Sequence, residues 1–377
     1  MLMPMSPEVS IIQRRMTHYR VPLFERMREM LSARGIRLRL LYGDPTQGER
    51  AKNDAGHVEW AERLESVYLF GDRVCWQNFH RATGSSDLVI ATQENKLVFN
   101  LLALSLLRPR RFAFWGHGKN MQASRTDHWT EQFKRWTTRR VDWWFAYTAL
   151  SRSFVVEAGF DPDRVTVVDN AVDTAAMARD IESIDSQARD AMRRELRIER
   201  DAKVGLFLGS LYAEKRLDFL LEAGRRVAQD VPGFVLVIVG EGPDRGVVEA
   251  ALSCNPWLRY AGSRHGRDKA ALLALADVFL NPGLVGLGIL DSFVARSPII
   301  TTDCRLHSPE IAYLEDGVNG LMTPNDADAY VSAVGKVLSQ PAYLQRLQAG
   351  CELSSSRYTI DNMASRFVAG IELALAA

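Results

Sequence analysis

The sequence predicts an α/β protein of two doubly wound parallel-sheet domains, and three observations carry that expectation. Strand-length apolar runs alternate with helix-length amphipathic stretches along most of the chain. The alternation stops at a charged segment, residues 185–201, and restarts after it. A length of 377 residues with a hydrophobic fraction of 47% can fill two cores. In such sheets ligands bind beyond the carboxyl ends of the strands, so the segments that follow strands are where chemistry is sought.

The first half supplies strands at 9–12, 38–42, 88–91, 112–115, 141–147 and 165–168. Residues 21–31 read as an amphipathic helix after the first strand, and 97–107 as a helix between the strands at 88–91 and 112–115. The charged stretch 185–201 reads as a linker helix. Residues 204–208 then form a buried strand that runs through a loop, 209–217, into a helix at 218–228. A strand at 234–240, a helix ending at Leu252, and strands at 258–261, 278–281, 299–301 and 320–322 complete the second half. No short-period repeat or low-complexity tract interrupts this order.

A formal charge of +1 gives no global positive field, so nucleic acid is not an expected partner. Cys75, Cys254, Cys304 and Cys351 are scattered without CxxC spacing or a histidine cluster, so neither a metal site nor a disulfide framework is expected. Reduced thiols in a cytoplasmic protein are the expectation. Residues 1–10 are too short for a signal peptide and carry Pro4 and Pro7, and apolar runs such as 97–107 are too short to span a bilayer. Any membrane association is expected to be peripheral, on the inner face of the plasma membrane. One region invites it: Arg108, Arg110, Arg111, Lys119, Arg125, Lys134, Arg135, Arg139 and Arg140 are interleaved with Trp115, Trp129, Trp136, Trp143 and Trp144. That pattern fits an anionic membrane surface, and it fits equally an aromatic core with solvated arginines beside it.

The most informative stretch is Asn281-Pro-Gly-Leu-Val-Gly-Leu-Gly-Ile-Leu-Asp291, which reads as a strand end, a glycine-rich turn and a helix carrying one acid. Gly283, Gly286 and Gly288 let backbone amides approach a ligand where a helix begins, a place that favours phosphate. Asp291, about a turn further on, can accept hydrogen bonds from sugar or ribose hydroxyls. The bland alternative is an ordinary βα turn with a solvated aspartate.

Residues 281–298 resemble the signature helix of family-4-type retaining glycosyltransferases of the GT-B fold, as found in bacterial surface and exopolysaccharide synthesis. That pattern is an acid, Gly-Phe-Gly, a second acid eight positions after the first, and a small-residue helix ending in Gly-x-Pro. Gly286, Asp291 and Pro298 fall in register; Gly283 stands where the first acid belongs and Arg296 where the last glycine belongs. The resemblance implies that Asp291 holds the donor's ribose while the amides of Gly286, Leu287 and Gly288 meet the diphosphate or the sugar.

Gly209-Ser-Leu-Tyr-Ala-Glu-Lys-Arg216 is similar to the family's Gly-Arg-x-x-x-Glu-Lys-Gly loop, with Lys215 in place and Ser210 at the arginine position. Breaking a glycosyl–phosphate bond builds charge on the departing oxygens, which a positioned cation stabilises most in the transition state. The resemblance gives that task to Lys215, and Arg216 beside it offers a second cation; a solvated surface is the alternative. Gly240-Glu-Gly-Pro243 resembles the family's Gly-x-Gly-Pro turn and reads as fold-stabilising. Tyr260 to His265 resembles the base-reading segment, with Arg264 stacking on or bonding to the base.

In the first half, Trp115-Gly-His-Gly-Lys119 matches the family's cleft-facing histidine, so His117 is expected to orient the reacting sugar; a satisfied buried histidine is the alternative. The acceptor is expected at His18, Tyr19, Arg20 and Lys119, although residues 13–20 lack the Gly-Gly pair of many relatives. Asn170-Ala-Val-Asp173 resembles the boundary motif between the domains. Glu310, in His307-Ser-Pro-Glu-Ile311, is either a substrate-facing acid or a helix N-terminal carboxylate.

Together these imply an acceptor-binding domain at 1–175, a nucleotide-sugar-binding domain at 176–357, an interdomain cleft, and a helix at 358–377 crossing back to the first domain. The implied activity is a metal-independent, retaining transfer of a hexose from a UDP- or GDP-sugar, without further cofactor, to a saccharide or polyprenyl-diphosphate-linked saccharide. Metal independence is expected because no Asp-x-Asp is read between a strand and its loop. A nucleotide-sugar epimerase of the same architecture and a non-catalytic GT-B module remain open alternatives.

Overall fold

The computed structural model describes residues 6–50, 54–118 and 128–377, the side chains of 128–131 and 134 excepted. The chain divides into two compact units, Met1–Val172 with Ile360–Ala377, and Asp173–Thr359.

In the first unit the chain runs β1 (Glu8–Gln13), α1 (Val21–Ser32), β2 (Arg37–Tyr42), α2 (Gln47–Arg50), β3 (Glu62–Arg63), β4 (Val67–Leu69), β5 (Val74–Trp76) and β6 (Leu88–Thr92). It continues through α3 (Phe99–Ala103), β7 (Phe112–Gly116), α4 (His128–Thr138), β8 (Trp143–Ala146), α5 (Ala149–Glu157) and β9 (Val165–Val167). Seven strands form one parallel sheet in the order β3-β2-β1-β6-β7-β8-β9. The buried strands β6, β7 and β8 read as unbroken apolar runs because a parallel sheet is covered on both faces.

Three short strands escape the sequence reading. β3 is two exposed residues, and β4 pairs with β5 in an antiparallel hairpin apart from the main sheet. Its turn puts Phe70, Gly71 and Asp72 at positive φ, and only one of those is a glycine that could have announced it. The helix expected at 97–107 is reduced to α3.

The second unit contains α6 (Thr174–Glu182), α7 (Ser186–Leu196), β10 (Lys203–Leu208), α8 (Leu217–Asp230), β11 (Phe234–Val239), α9 (Arg245–Leu252), β12 (Leu258–Gly262) and α10 (Gly266–Leu275). β13 (Val278–Leu280), α11 (Gly288–Val294), β14 (Ile299–Thr302), β15 (Gly320–Thr323), α12 (Ala327–Ser339) and α13 (Pro341–Arg357) complete it. The sheet is parallel, in the order β12-β11-β10-β13-β14-β15. By chain order that is 3-2-1-4-5-6, the doubly wound arrangement whose direction reverses between β10 and β13. α8 buries Leu217, Leu220, Ala223, Gly224 and Val227 along one face, the 3.6-residue spacing that fixes it on the sheet.

The charged stretch 185–201 is not a free-standing linker. Asp185 caps α7 by accepting from the Ala188 amide at 2.7 Å, Met192 and Leu196 are buried, and α7 packs on α10 within the second unit. The terminal helix breaks at Tyr358-Thr359, after which α14 (Ile360–Ala376) belongs to the first unit and packs along α1. Phe367 of α14 stacks on Phe145 at 4.4 Å and meets Trp115 edge-on at 5.0 Å.

Candidate functional site

The loops leaving β10 and β13 lie side by side at the point where the strand order reverses. The first makes a single helical turn, Ala213–Lys215, then passes through Arg216 in the left-handed region (φ 57°) before α8 begins. The second runs from Asn281 to Leu287 and enters α11. They cross in direct contact: the Leu284 amide donates to Glu214 O at 2.8 Å, and the Lys215 ammonium donates to Leu284 O at 2.5 Å. A Cβ on Gly283 would lie 2.3 Å from Glu214 O and 2.7 Å from Lys215 O, so only glycine fits beneath this crossing.

Lys215 is 8% exposed. Burial drags its ammonium down from 10.5 to about 8, against a smaller upward pull from Cys304. Among the described residues the ammonium has one hydrogen-bond acceptor, Leu284 O, and an ammonium carries three donors. The remaining two suit an incoming oxyanion. Arg216 is engaged differently. Its guanidinium donates to Pro282 O at 3.2 Å, Thr302 Oγ1 at 3.0 Å and Asn325 Oδ1 at 2.6 Å, and lies over the Phe219 ring at 4.4 Å. It ties together the ends of β13, β14 and β15.

Asp291 stands in the first turn of α11, half-buried, and receives the Lys269 ammonium on both oxygens at 3.0 and 2.9 Å. Lys269 lies on α10, and its role was invisible in the sequence because 22 residues separate the pair. A carboxylate has about four lone-pair sites, so the ion pair leaves Asp291 able to accept from hydroxyls. Gly286, Leu287 and Gly288 are half-buried, and a Cβ on Gly286 or Gly288 would meet nothing closer than 3.5 Å.

His307 fixes the second loop from below. Its Nδ1 accepts from the Val285 amide at 3.1 Å, so the proton is assigned to Nε2, which faces Thr302 O at 2.8 Å. Cys304 Sγ lies 3.7 Å from the same nitrogen. Burial pushes the Cys304 thiol up, but hydrogen bonds from His307, the Leu306 amide and Thr302 outweigh it and leave the thiol below its ordinary value. Sequence reasoning gave neither a role: His307 entered only as the start of the motif around Glu310, and Cys304 only as one of four scattered cysteines.

The other expected residues fall as follows. Ser210 is exposed on the loop after β10. Arg264 pairs with Glu195 and with Asp268 at 3.3 Å and donates to Ala261 O at 2.8 Å, so two carboxylates already neutralise it. Gly240 and Gly242 have a packing reason: a Cβ on either would strike Gly209 O at 1.8 Å or Leu211 O at 2.1 Å. Glu310 is buried in the first turn of the short helix Pro309–Tyr313. One Asp-x-Asp does follow a strand: after β15, Asp326 caps α12 through the Ala329 amide at 2.8 Å and Asp328 pairs with Arg226 at 2.5 Å.

In the first unit, His117 is exposed at the end of β7, its ring 4.3 Å from that of Tyr147. His18 is exposed, Tyr19 half-buried and Arg20 buried in the turn before α1, while Lys119 lies outside the described residues. The tryptophan-rich surface is mostly core: Trp115, Trp143 and Trp144 are buried in β7 and β8 because alternate faces of this sheet are both covered. Arg108 and Arg110 pair with Asp142 and Asp87. What stays exposed is a smaller patch on α4, where Phe133 and Trp136 stack at 6.0 Å beside Arg135, Arg139 and Arg140.

Residues 202–340 match the family described as Glycosyl transferases group 1. The chain is 26% identical to the alpha-monoglucosyldiacylglycerol synthase of Acholeplasma laidlawii over 47% of its own length and 45% of that protein's. It is 28% identical to the phosphatidyl-myo-inositol mannosyltransferase of Mycolicibacterium smegmatis over 54% and 49% of the two chains. The match thus spans about half the length of these relatives. Among solved structures, Anabaena HepE in complex with UDP aligns with a TM-score of 0.72 at 14% identity, covering 97% of this chain and 100% of that one. The lipopolysaccharide outer core galactosyltransferase WaaB aligns at 0.68 and 16%, covering 97% and 99%. Residues 202–340 therefore form a glycosyl transferases group 1 domain, on a chain whose two parallel-sheet α/β units have the GT-B fold.

Proposed function

We propose that the chain is a retaining, metal-independent glycosyltransferase that moves a hexose from a nucleotide diphosphate sugar, a UDP- or GDP-sugar, to a saccharide or lipid-linked saccharide. The observation that carries this reading is Lys215, a buried ammonium with spare donors at the carboxyl-end reversal of a group 1 domain. The nucleotide binds the second unit, with Asp291 accepting from the ribose and the Gly286–Gly288 amides meeting the diphosphate. As the glycosyl–phosphate bond breaks, charge collects on the departing diphosphate, and Lys215 stabilises it more than it stabilises the ground state. No side chain of the site is offered as nucleophile, so attack is from the front face, where the leaving phosphate takes the proton from the acceptor hydroxyl. His117 orients the reacting sugar from the first unit. Arg216 and Arg264, each engaged by internal partners, hold loops rather than the donor.

Support for a sugar donor comes from HepE, solved with UDP and with UDP-glucose, and for a lipid acceptor from the diacylglycerol and phosphatidylinositol enzymes. Peripheral attachment through α4 fits such an acceptor, and no helix among the described residues is long and apolar enough to cross a membrane. The test is donor turnover with UDP-glucose, UDP-galactose and GDP-mannose, with and without a polyprenyl-diphosphate-linked saccharide. Acceptor-dependent release of nucleoside diphosphate supports transfer. An altered nucleotide sugar without acceptor means an epimerase, and neither reaction means a binding module.

A further inference from the structure

Three arginines leave β1 within seven residues, and they are treated differently. Arg14 is held by Glu49 at 2.6 Å and Glu94 at 2.9 Å, and Arg15 by Asp54 at 2.7 Å. Arg20 is 6% exposed, and among the described residues no carboxylate pairs with it. Among the described residues its one hydrogen bond is a long 3.9 Å contact from Nη1 to Met363 Sδ. Three rings surround the guanidinium instead: Trp115 at 5.0 Å, Tyr19 at 5.2 Å and Tyr147 at 5.6 Å. Aromatic faces attract a cation but do not neutralise it, and a buried charge without a counter-ion is costly.

α1 begins at the next residue with no acid in its first turn and no side-chain cap, so its N-terminal dipole adds to the same positive field. Trp115 Nε1 is buried without an acceptor, a second unsatisfied donor in the same packing. Arg20 keeps a small exposed fraction, 6% of its surface. The cluster draws on the carboxyl ends of β1, β7 and β8, which lie on the edge where such sheets bind ligands. Tyr147, which stacks on Arg20, also touches the His117 ring.

We propose that Arg20 is an anion anchor: it binds an oxyanion, phosphate or carboxylate, carried by the acceptor, and so places the acceptor beside His117. The proposal rests on the glycosyltransferase reading and narrows it, because a neutral saccharide would leave Arg20 uncompensated. The guanidinium presents paired donors that match either oxyanion, and binding replaces an unpaired buried cation by a neutral pair.

The test uses the full chain with UDP present at saturation, so that the second unit's own phosphate site is filled. Equilibrium dialysis with radiolabelled inorganic phosphate at constant ionic strength should find one phosphate per chain. Arg20→Gln should weaken it at least tenfold, and Arg20→Lys, which keeps the charge but loses the fork and the ring stacking, should weaken it less. On the native protein, glucose 6-phosphate or glucuronate should displace the phosphate while glucose does not, and the better competitor identifies the acceptor's group. Phosphate that does not bind, that binds Arg20→Gln as well as native, or that glucose displaces equally, would overturn the proposal and leave Arg20 a packing strut. If Arg20→Gln fails to fold, the competition on native protein decides alone. UDP binding measured in the same samples separates the two readings: its absence sinks the transferase, whereas intact UDP binding with no Arg20-dependent phosphate sinks only the anchor.

Discussion

In its proposed role Lys215 meets two opposed demands. A charge-stabilising donor must be protonated and dehydrated, and dehydration is what lowers its affinity for the proton. Its pKa of about 8 in the fold lies below the 10.5 of an exposed lysine. Between those values the unfolded chain holds a proton that the folded one has lost, so stability rises with pH there; below about 8 the penalty is fully present. The shift corresponds to roughly 3 kcal/mol. Lys215→Met keeps the stem and removes the ammonium, and Leu284 O keeps a donor in Asn281 Nδ2 at 3.0 Å. That variant is expected to melt above the native protein at pH 7, with the difference vanishing near pH 10.5, in thermal melts at the two pH values. Its turnover should fall by two to three orders of magnitude, as for removal of a preorganised donor at developing charge. In the native protein kcat/KM, which reports the ligand-free enzyme, should fall as pH rises through about 8. Lys215 and Asp291 were legible in the sequence because each sits at a fixed offset from a strand end. Lys269 and His307 were not, because their partners are brought to them by helices and loops remote in sequence.

At the scale of elements, the crossing of the β10 and β13 loops explains the missing first acid. The backbone of Glu214 and Lys215 occupies the space a side chain at 283 would need. Gly283→Glu, which restores the family's residue, is therefore expected to lower the melting temperature markedly and to gain no activity; a stable, more active variant would show that the crossing yields. In the proposed attachment to a lipid surface, α4 supplies the exposed pair Phe133 and Trp136, and Arg135, Arg139 and Arg140 would each contribute about 1 kcal/mol near anionic headgroups. Phe133→Ser with Trp136→Ser should cut sedimentation with anionic vesicles, and raised salt should do the same to the native protein. Equal sedimentation with neutral vesicles, or none with either, would remove α4 from that role. The sequence offered the membrane and core readings together because tryptophan serves both; burial separates them residue by residue, sending Trp143 and Trp144 inward and Trp136 outward.

At the scale of the molecule, the parallel strands were legible because burial on both faces writes a continuous apolar run, as in β11, whose six residues are all buried. The hairpin of β4 and β5 was not, since each strand is three residues long, too short to display a period, and half of those residues are exposed. α7 was misread for a related reason: its many charges are plain in the sequence, whereas Met192 and Leu196, which fix it to the second unit, are two residues among eleven. Motifs keep their place despite such errors because they report on loops at the ends of the buried strands β7, β10, β11 and β13, which were placed correctly. On the proposed reading the second unit binds a nucleoside diphosphate through Lys215. The most direct test is the thermal shift produced by UDP, GDP and ADP on the native protein and on Lys215→Ala. A ligand at a hundred times its dissociation constant stabilises the fold by about 2.7 kcal/mol. One of the three nucleotides should raise the native melting temperature by several degrees and leave Lys215→Ala nearly unmoved at the same concentration. No shift with any of them, or equal shifts in native protein and variant, would contradict the account.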